Sequence, residues 1–417
     1  MSTRLAASIV LAPSLVAADD ALSYRIQLDT LRQDYDGQHC WTQARAAAIP
    51  RAGEYPIVVV TMQRLLLTGI DVYYAINELR SDDLGRTWTG PIEHSSTLGR
   101  RSAADGSEVA ISNFWPQWHA SSGRILGTGN TLPYKTDKGP DHDAPQAVAY
   151  SSYNPDTRAW APWTTLEQPA GARDYYITAG CAQRLDLPGG DLLLPVSFKA
   201  KGEAFTRVKV LRCHFDGARL TLRDEGASLS VDTRRGLAEP SLTRYRGKYL
   251  MTVRHDLTGY VTSSDDGLNY GPLQTWCWDD GRELGTYNTQ THWVTHRDGL
   301  FLVYTRRGAN NDHVFRHRAP LFIAEVDPKT LRIKRATERI LLPDKGARYG
   351  NFGVCNVNAQ ETWVVDTEWM QRPPEEPIIP VENRWGAAGR VYAARIIWNR
   401  PNTEPDNLPV LPPSPLP

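Results

Sequence analysis

An all-β chain of repeated blades, a six-bladed β-propeller, is the fold this sequence predicts, and three observations predict it. First, Ser81-Asp82-Asp83-Leu84-Gly85-Arg86-Thr87-Trp88 reads S-x-D-x-G-x-T-W, and a looser copy follows at Ser263-Ser264-Asp265-Asp266-Gly267-Leu268-Asn269-Tyr270. Second, strand-like segments bounded by Gly, Pro, Asn and Asp recur along the chain, and no stretch sustains helical periodicity. Third, the two copies start 182 residues apart, which fits three blades of about 60 residues, so six blades use most of the chain.

The repeated motif is an aspartate box, and its chemistry is that of a hairpin turn. Asp83 is expected to accept backbone N–H bonds across the turn, and Gly85 to supply a left-handed residue without steric cost. Trp88 then tucks its ring under the turn as the next strand begins. Asp82, Asp83, Asp265 and Asp266 therefore belong to turns, not to chemistry. Strands are expected at Ile57–Met62, Val72–Ile76, Gln146–Tyr150, Asp191–Val196, Val208–Cys213, Tyr249–Val253, Leu300–Tyr304, Leu321–Val326 and Thr362–Val365. Ser152 to Trp160 repeats the turn-then-Trp logic, and Val326 to Thr330 makes a similar corner. Residues 1–400 read as one propeller, and the seven prolines from Pro401 to Pro417 as an extended tail. The apolar run Leu5–Ala18 reads either as a secretory signal, which would place the protein outside the cytoplasm, or as a strand that closes the ring.

Composition narrows the function. With 47 basic and 47 acidic residues the chain carries no net field for nucleic acid or an anionic membrane. No run beyond the N-terminal one is long enough to span a bilayer. Thirteen Trp and 18 Tyr against 8 Phe suit packing between sheets, and some could stack on sugars. The five cysteines are scattered, odd in number and without a C-x-x-C pair, so they are expected to be reduced thiols and not metal ligands. No phosphate-binding Gly-rich loop appears, and no metal or other cofactor is expected.

Several charged residues fall where strands should present their inner ends to a central cavity: Arg45, Asp71, Glu239, Arg254 and Arg318, with Tyr349 after them. Asp71 lies ten residues ahead of the first box, and Arg254 follows Glu239 by fifteen. In this order, with the boxes between them, they resemble the constellation of the sialidase (neuraminidase) superfamily in its six-bladed bacterial form. That resemblance covers residues 40 to 370. It aligns Arg45 with the family's first arginine, though Ala46-Ala47 stands where Ile-Pro is usual. Tyr349 aligns with the family's tyrosine, though Gly350-Asn351 replaces paired serines. Arg64 falls where many members place a further pocket arginine.

The resemblance implies exo-hydrolysis of a terminal acidic sugar, sialic acid or a related ulosonic acid, on a glycan or glycoconjugate. Arginines 45, 254 and 318 would surround the carboxylate, a geometry that lysine cannot reproduce. Tyr349 would attack the anomeric carbon, Glu239 would take its proton, and Asp71 would protonate the leaving oxygen, with net retention. A tyrosine suits this role because a phenol starts neutral beside the substrate's own negative charge. Two other readings stand beside it. A uronate-directed lyase or glycosidase on the same scaffold would lean on His119 or His142, and His292, His313 and His317 also sit in polar segments. A lectin would keep the arginines for binding alone.

Overall fold

Six antiparallel sheets of four to six strands follow one another along the chain of this computed structural model, which describes residues 21–103, 106–168, 174–372, 379–381, 383–403 and 409. The units form a six-bladed propeller. Blade I runs through His39–Ile49, Ile57–Leu66, Tyr73–Ser81 and Thr89–Glu93. Blade II is built on Glu108–His119, Arg124–Tyr134 and Val148–Asn154, and blade III on Asp191–Ala200, Arg207–Phe215 and Leu220–Glu225. Blade IV holds Ala238–Tyr245, Lys248–Arg254 and Tyr260–Ser264, and blade V holds His292–His296, Gly299–Tyr304 and Leu321–Asp327. Blade VI joins the two ends of the chain. Gly353–Asn356, Glu361–Thr367 and Arg390–Trp398 are completed on the outside by Tyr24–Gln33, which pairs antiparallel with Arg390–Trp398. The closing role thus falls to residues 24–33, and the apolar run at 5–18 lies outside the described residues. No helix among the described residues is long and apolar enough to cross a membrane.

All nine strands expected from the sequence are present, and they are chiefly second and third strands of blades. Their β-branched and aromatic side chains fill the spaces between neighbouring sheets. Blades I and II share a core of Ile49, Val59, Ile111, Phe114, Ile125 and Trp160. The seam between blades V and VI is filled by Val303, Leu321, Phe352, Val364, Tyr392 and Trp398. Eleven of the 13 tryptophans are buried, so packing accounts for most of the aromatic excess. All five cysteines are free thiols, four of them buried.

The boxes behave as turns. Ser81 Oγ accepts from the Gly85 amide at 2.8 Å, and Asp83 accepts from the Thr87 amide at 2.9 Å and the Thr87 hydroxyl at 2.6 Å. The Thr87 bonds hold the Asp83 carboxyl down at about 2. In the second box Ser264 and Asp266 take the same parts, with Asp266 bonded to the Leu268 and Asn269 amides at 2.8 and 2.7 Å. The boxes end the third strands of blades I and IV, three blades apart as the spacing requires. Trp88 packs toward Trp363 of blade VI, with ring centroids 6.4 Å apart, so the first box also seals a seam between blades.

A plug crosses the propeller axis. Arg45, fully buried, donates to the carbonyls of Phe352 (3.2 Å) and Phe114 (3.1 Å), lies 3.1 Å from Cys181 Sγ and sits over the Trp115 ring. His292 packs edge-on against Trp115 and Phe352 from blade V. Beyond the plug, the later residues of the inner strands (Ala46–Ala48, Pro116–His119, Gln183–Leu185, Trp293 and Val354–Asn356) line a cavity of about 440 Å³. Before it, the first residues of the same strands line the opposite end.

Gly85 has φ 80°, and a Cβ there would lie 2.8 Å from the Trp363 ring. Gly85→Ala is therefore expected to lower the unfolding free energy by about 1–3 kcal/mol. Urea unfolding should show a lower midpoint at unchanged slope, and an unaltered midpoint would refute this reading of the turn.

Candidate active site

Backbone geometry marks the end of the axis in front of the plug. The inner strands of blades I, II and IV each carry a bulge there, between Thr42 and Arg45, Ser112 and Trp115, and Ala238 and Ser241. Gln43, Asn113 and Glu239 occupy these bulges with φ of 57°, 54° and 46°. Cys181 in blade III, Asn288 ahead of blade V and Gly350 ahead of blade VI also have positive φ, at 58°, 47° and 107°. Such conformations cost about 1–3 kcal/mol for a residue other than glycine and cluster at functional sites. Here they turn side chains off the strands and onto the axis. Gln43 and Asn113 exchange bonds of 2.8 and 2.7 Å, and Asn113 continues to Asn130 at 3.0 Å, which makes one wall rigid.

The opposite wall is charged. Arg254 Nη1 lies 2.7 Å from both carboxylate oxygens of Glu239, and its Nη2 donates to Asn288 Oδ1 at 2.5 Å. Arg235 reaches the same oxygen at 3.1 Å and pairs with Asp256. Arg318, 4% exposed, donates to the Asn288 backbone carbonyl, and its Nε has no partner among the described residues. Arg348 is spread over the Trp369 ring at 3.8 Å, and Arg316 completes the group from the turn before Arg318. Five guanidinium groups thus gather with three carboxylates, those of Asp71, Glu239 and Asp256.

The electrostatics follow from that imbalance. Burial, and then the charges of Arg254, Arg316 and Arg348, pull Arg318 well below the ordinary guanidinium value. Burial likewise brings Arg348 down to about 10, opposed by Asp71. Burial alone would raise the Glu239 carboxyl, yet the Arg254 charge and hydrogen bonds hold it below the usual carboxylate range. Beside Glu239, Tyr176 is pushed up to about 12 by burial and by that carboxylate. Asp71, at φ 50°, accepts from the Tyr73 hydroxyl at 3.1 Å. Such a site favours an anion, which would relieve the mutual repulsion of the arginines.

Known structures share this architecture. The chain superposes on the NanB sialidase from Streptococcus pneumoniae with a TM-score of 0.59 at 11% identity, covering 89% of this chain and 70% of that one. For the Trypanosoma rangeli sialidase in complex with sialic acid the TM-score is 0.56 at 12% identity, covering 92% of this chain and 59% of that one. This is the sialidase-like propeller fold. An α-L-arabinofuranosidase from Fusarium graminearum shares it at a TM-score of 0.51 and 11% identity, with 90% and 97% of the two chains covered. The chain spans well under two thirds of the Trypanosoma enzyme's length. No family model matches the sequence, and no curated protein does.

Within this sialidase-like propeller, the residues expected from the sequence divide. Glu239, Arg254 and Arg318 come together at the axial end, and Asp71 joins them through Arg348 and Arg316. Three do not. Tyr349 is 1% exposed inside the seam between blades V and VI, and its hydroxyl donates to the Pro343 carbonyl at 2.9 Å. Burial, with Glu368 and Tyr392 nearby, raises its phenol well above the ordinary value. The physical reason is alternation: neighbouring side chains point to opposite sides of an extended chain, so Arg348 takes the axis and Tyr349 the core. Arg45 directs its donors to backbone carbonyls and serves the plug, not a substrate. Arg64 lies outside the axis on the second strand of blade I, 40% exposed, 3.3 Å from Asp36 and over the Trp41 ring. Of the histidines, His119 lines the far cavity and His142 is exposed on a loop, so neither faces the arginines.

Sequence reasoning missed Arg235, Arg316, Arg348, Tyr176 and Asn288. A period-two reading of Arg316–Arg318 and of Arg348–Tyr349 would have suggested the flanking arginines. The bulges that aim Gln43 and Asn113 leave no such trace.

Two measurements bear on this site. Tyr349→Phe removes one buried hydrogen bond and should cost about 1 kcal/mol in denaturant unfolding while leaving turnover intact. Buried Asp366, bonded to the Gly350 and Thr367 amides, is raised by burial to about 7. Its folded pKa exceeds the unfolded one, so the folded state holds the extra proton and stability falls as pH rises from about 4 through that folded value. Asp366→Asn should flatten this decline in thermal midpoints measured from pH 4 to 8.

Proposed function

We propose that this protein is an exo-acting glycosidase that removes a terminal acidic sugar, sialic acid or a related ulosonic acid, from a glycan or glycoconjugate. The observation that carries the reading is the surplus of arginines over carboxylates around Glu239 and Asp71, with Arg318 and Arg348 buried and Arg318 Nε left without a partner among the described residues. In an ulosonic acid the carboxylate sits on the anomeric carbon itself, so an anion site beside the reacting bond is what such a substrate requires. Arg318 and Arg254 would hold that carboxylate, with Arg316 and Arg348 lending charge. Glu239, kept ionised by Arg254, would stabilise the positive charge that develops on the sugar ring. Asp71, half-buried on the facing side, would protonate the leaving oxygen and later deprotonate the attacking water. The fold shared with sialidases and with an arabinofuranosidase supports glycoside hydrolysis as the reaction class.

The test is a panel of aryl sialoside, ulosonide and uronide substrates. Release of the free acid sugar with retained configuration is expected, whereas an unsaturated uronate absorbing in the ultraviolet, or binding without turnover, would overturn the reading. Arg318→Lys should raise KM at least roughly tenfold for carboxylated substrates and leave their methyl esters unaffected. Asp71→Asn should lower kcat by about 10²–10⁴ for poor leaving groups, and by much less for activated aryl groups that need no proton.

A further inference from the structure

We propose that the cavity behind the plug is a docking site for the chain's own C-terminal segment, residues 409–417, bound as a polyproline helix; the proposal does not rest on the glycosidase reading. The cavity holds about 440 Å³, the size of a pocket that encloses a drug-sized molecule. Each blade gives its wall an apolar side chain: Ala47, Trp118, Leu185, Leu242, Trp293 and Val354 in turn.

Two points near the end of the chain already lie at this cavity. Asn402, 2% exposed, donates from its side chain to the Thr295 carbonyl at 2.9 Å and accepts from the Arg297 amide at 3.0 Å. The Arg297 guanidinium donates to the Thr403 hydroxyl at 3.1 Å. Thr295 is itself a wall residue, so the chain leaves its last anchor at the cavity's edge. Pro409, seven residues on, stands among the lining side chains.

The sequence from that point suits an apolar cavity. Pro409-Val410-Leu411-Pro412-Pro413-Ser414-Pro415-Leu416-Pro417 has no charged side chain, and Ser414 is its one polar one. The last acidic residues, Glu404 and Asp406, precede it. Pro409, Pro412 and Pro415 recur at every third residue. That is the period of a polyproline helix, so one ridge of the helix is all proline. Five of the nine residues lack an N–H, which leaves few donors to strip of water on burial. A helix of this kind is stiff before it binds, and it is recognised by aromatic faces in apolar grooves. Trp118 and Trp293 supply such faces.

An anionic ligand is a poor rival for the same space. Arg184 in this wall is held by Asp186 at 2.8 Å and donates to the carbonyls of Leu126 and Gln117 at 2.6 and 3.1 Å. A docked tail, by contrast, meets side chains from all six blades and joins the Asn402 anchor in holding the ring.

The test reads Cys355, a thiol in the cavity wall, in the full chain. Cys213 is the reference, buried in the core between blades II and III. Labelling by methyl methanethiosulfonate, followed by peptide mass spectrometry, should be at least roughly tenfold faster at Cys355 in Pro409→Asp/Leu411→Asp than in the wild type, with Cys213 unchanged. A synthetic peptide of residues 409–417, added at the millimolar concentration that a short tether supplies, should restore the slow rate in the variant. The same peptide with Pro412→Gly and Pro415→Gly should not. An equal Cys355 rate in variant and wild type, a Cys213 rate that rises in step, no restoration by the peptide, or equal restoration by its glycine form overturns the proposal. Wild-type dimers in light scattering that the variant lacks place the tail in a second copy's cavity and overturn it as well.

Discussion

The pairing of Tyr24–Gln33 with Arg390–Trp398 is the constraint on which the rest of this molecule depends. A ring of blades gains its central geometry only when the last seam is closed, because each sheet packs on its two neighbours and on nothing else. Here the closing strand comes from the start of the chain and completes a blade formed from its end. Asn402 reinforces the same region. Its amide donates to Ala359 of blade VI, while its side chain bonds to Thr295 and Arg297 of blade V. The distance between the arginines of blades IV and V and the carboxylate of Asp71 in blade I is therefore set by contacts at the far side of the ring.

Given a closed ring, the axial end is shaped by backbone strain and charge crowding together. Gln43, Asn113, Cys181, Glu239 and Asn288 all adopt conformations that side chains ordinarily avoid. Each is over-determined by hydrogen bonds: Glu239 by Ser197 and Arg254, Asn288 by His255 and three arginines. Strain of this kind survives only when the surrounding structure enforces it. The buried guanidinium groups are enforced in the same way, by aromatic faces and backbone carbonyls. The site is pre-organised and electrostatically unsatisfied, so an anion entering it meets groups that need not move.

How much of this was legible in the sequence depends on which strand of a blade is considered. Second and third strands, such as Ile57–Leu66 and Asp191–Ala200, carry runs of Val, Leu and Ile that read directly as β. Inner strands such as Glu108–His119 are broken by bulges and by Pro116, which disrupts the pattern at the positions that matter for chemistry. The box spacing located the blades because Ser81, Asp83 and Gly85 need each other within one turn, a local requirement that leaves a local signature. The arginine cluster has no such signature, since Arg235, Arg316 and Arg348 meet only through the ring. Glu239 and Arg254 were readable as a pair because adjacent antiparallel strands bring them together. Tyr349 stands one position from Arg348, and in an extended chain that single step exchanges pocket for core.

Arg45 separates two chambers. The anion site lies ahead of its guanidinium and the cavity of about 440 Å³ behind it, with Trp115, His292 and Phe352 packed around the partition. The propeller is thus a cup and not a pipe. Among the described residues, a molecule that entered the charged end would meet this partition and would leave by the way it came. The chamber behind the partition is walled by the later residues of the inner strands, with Pro409 beside them.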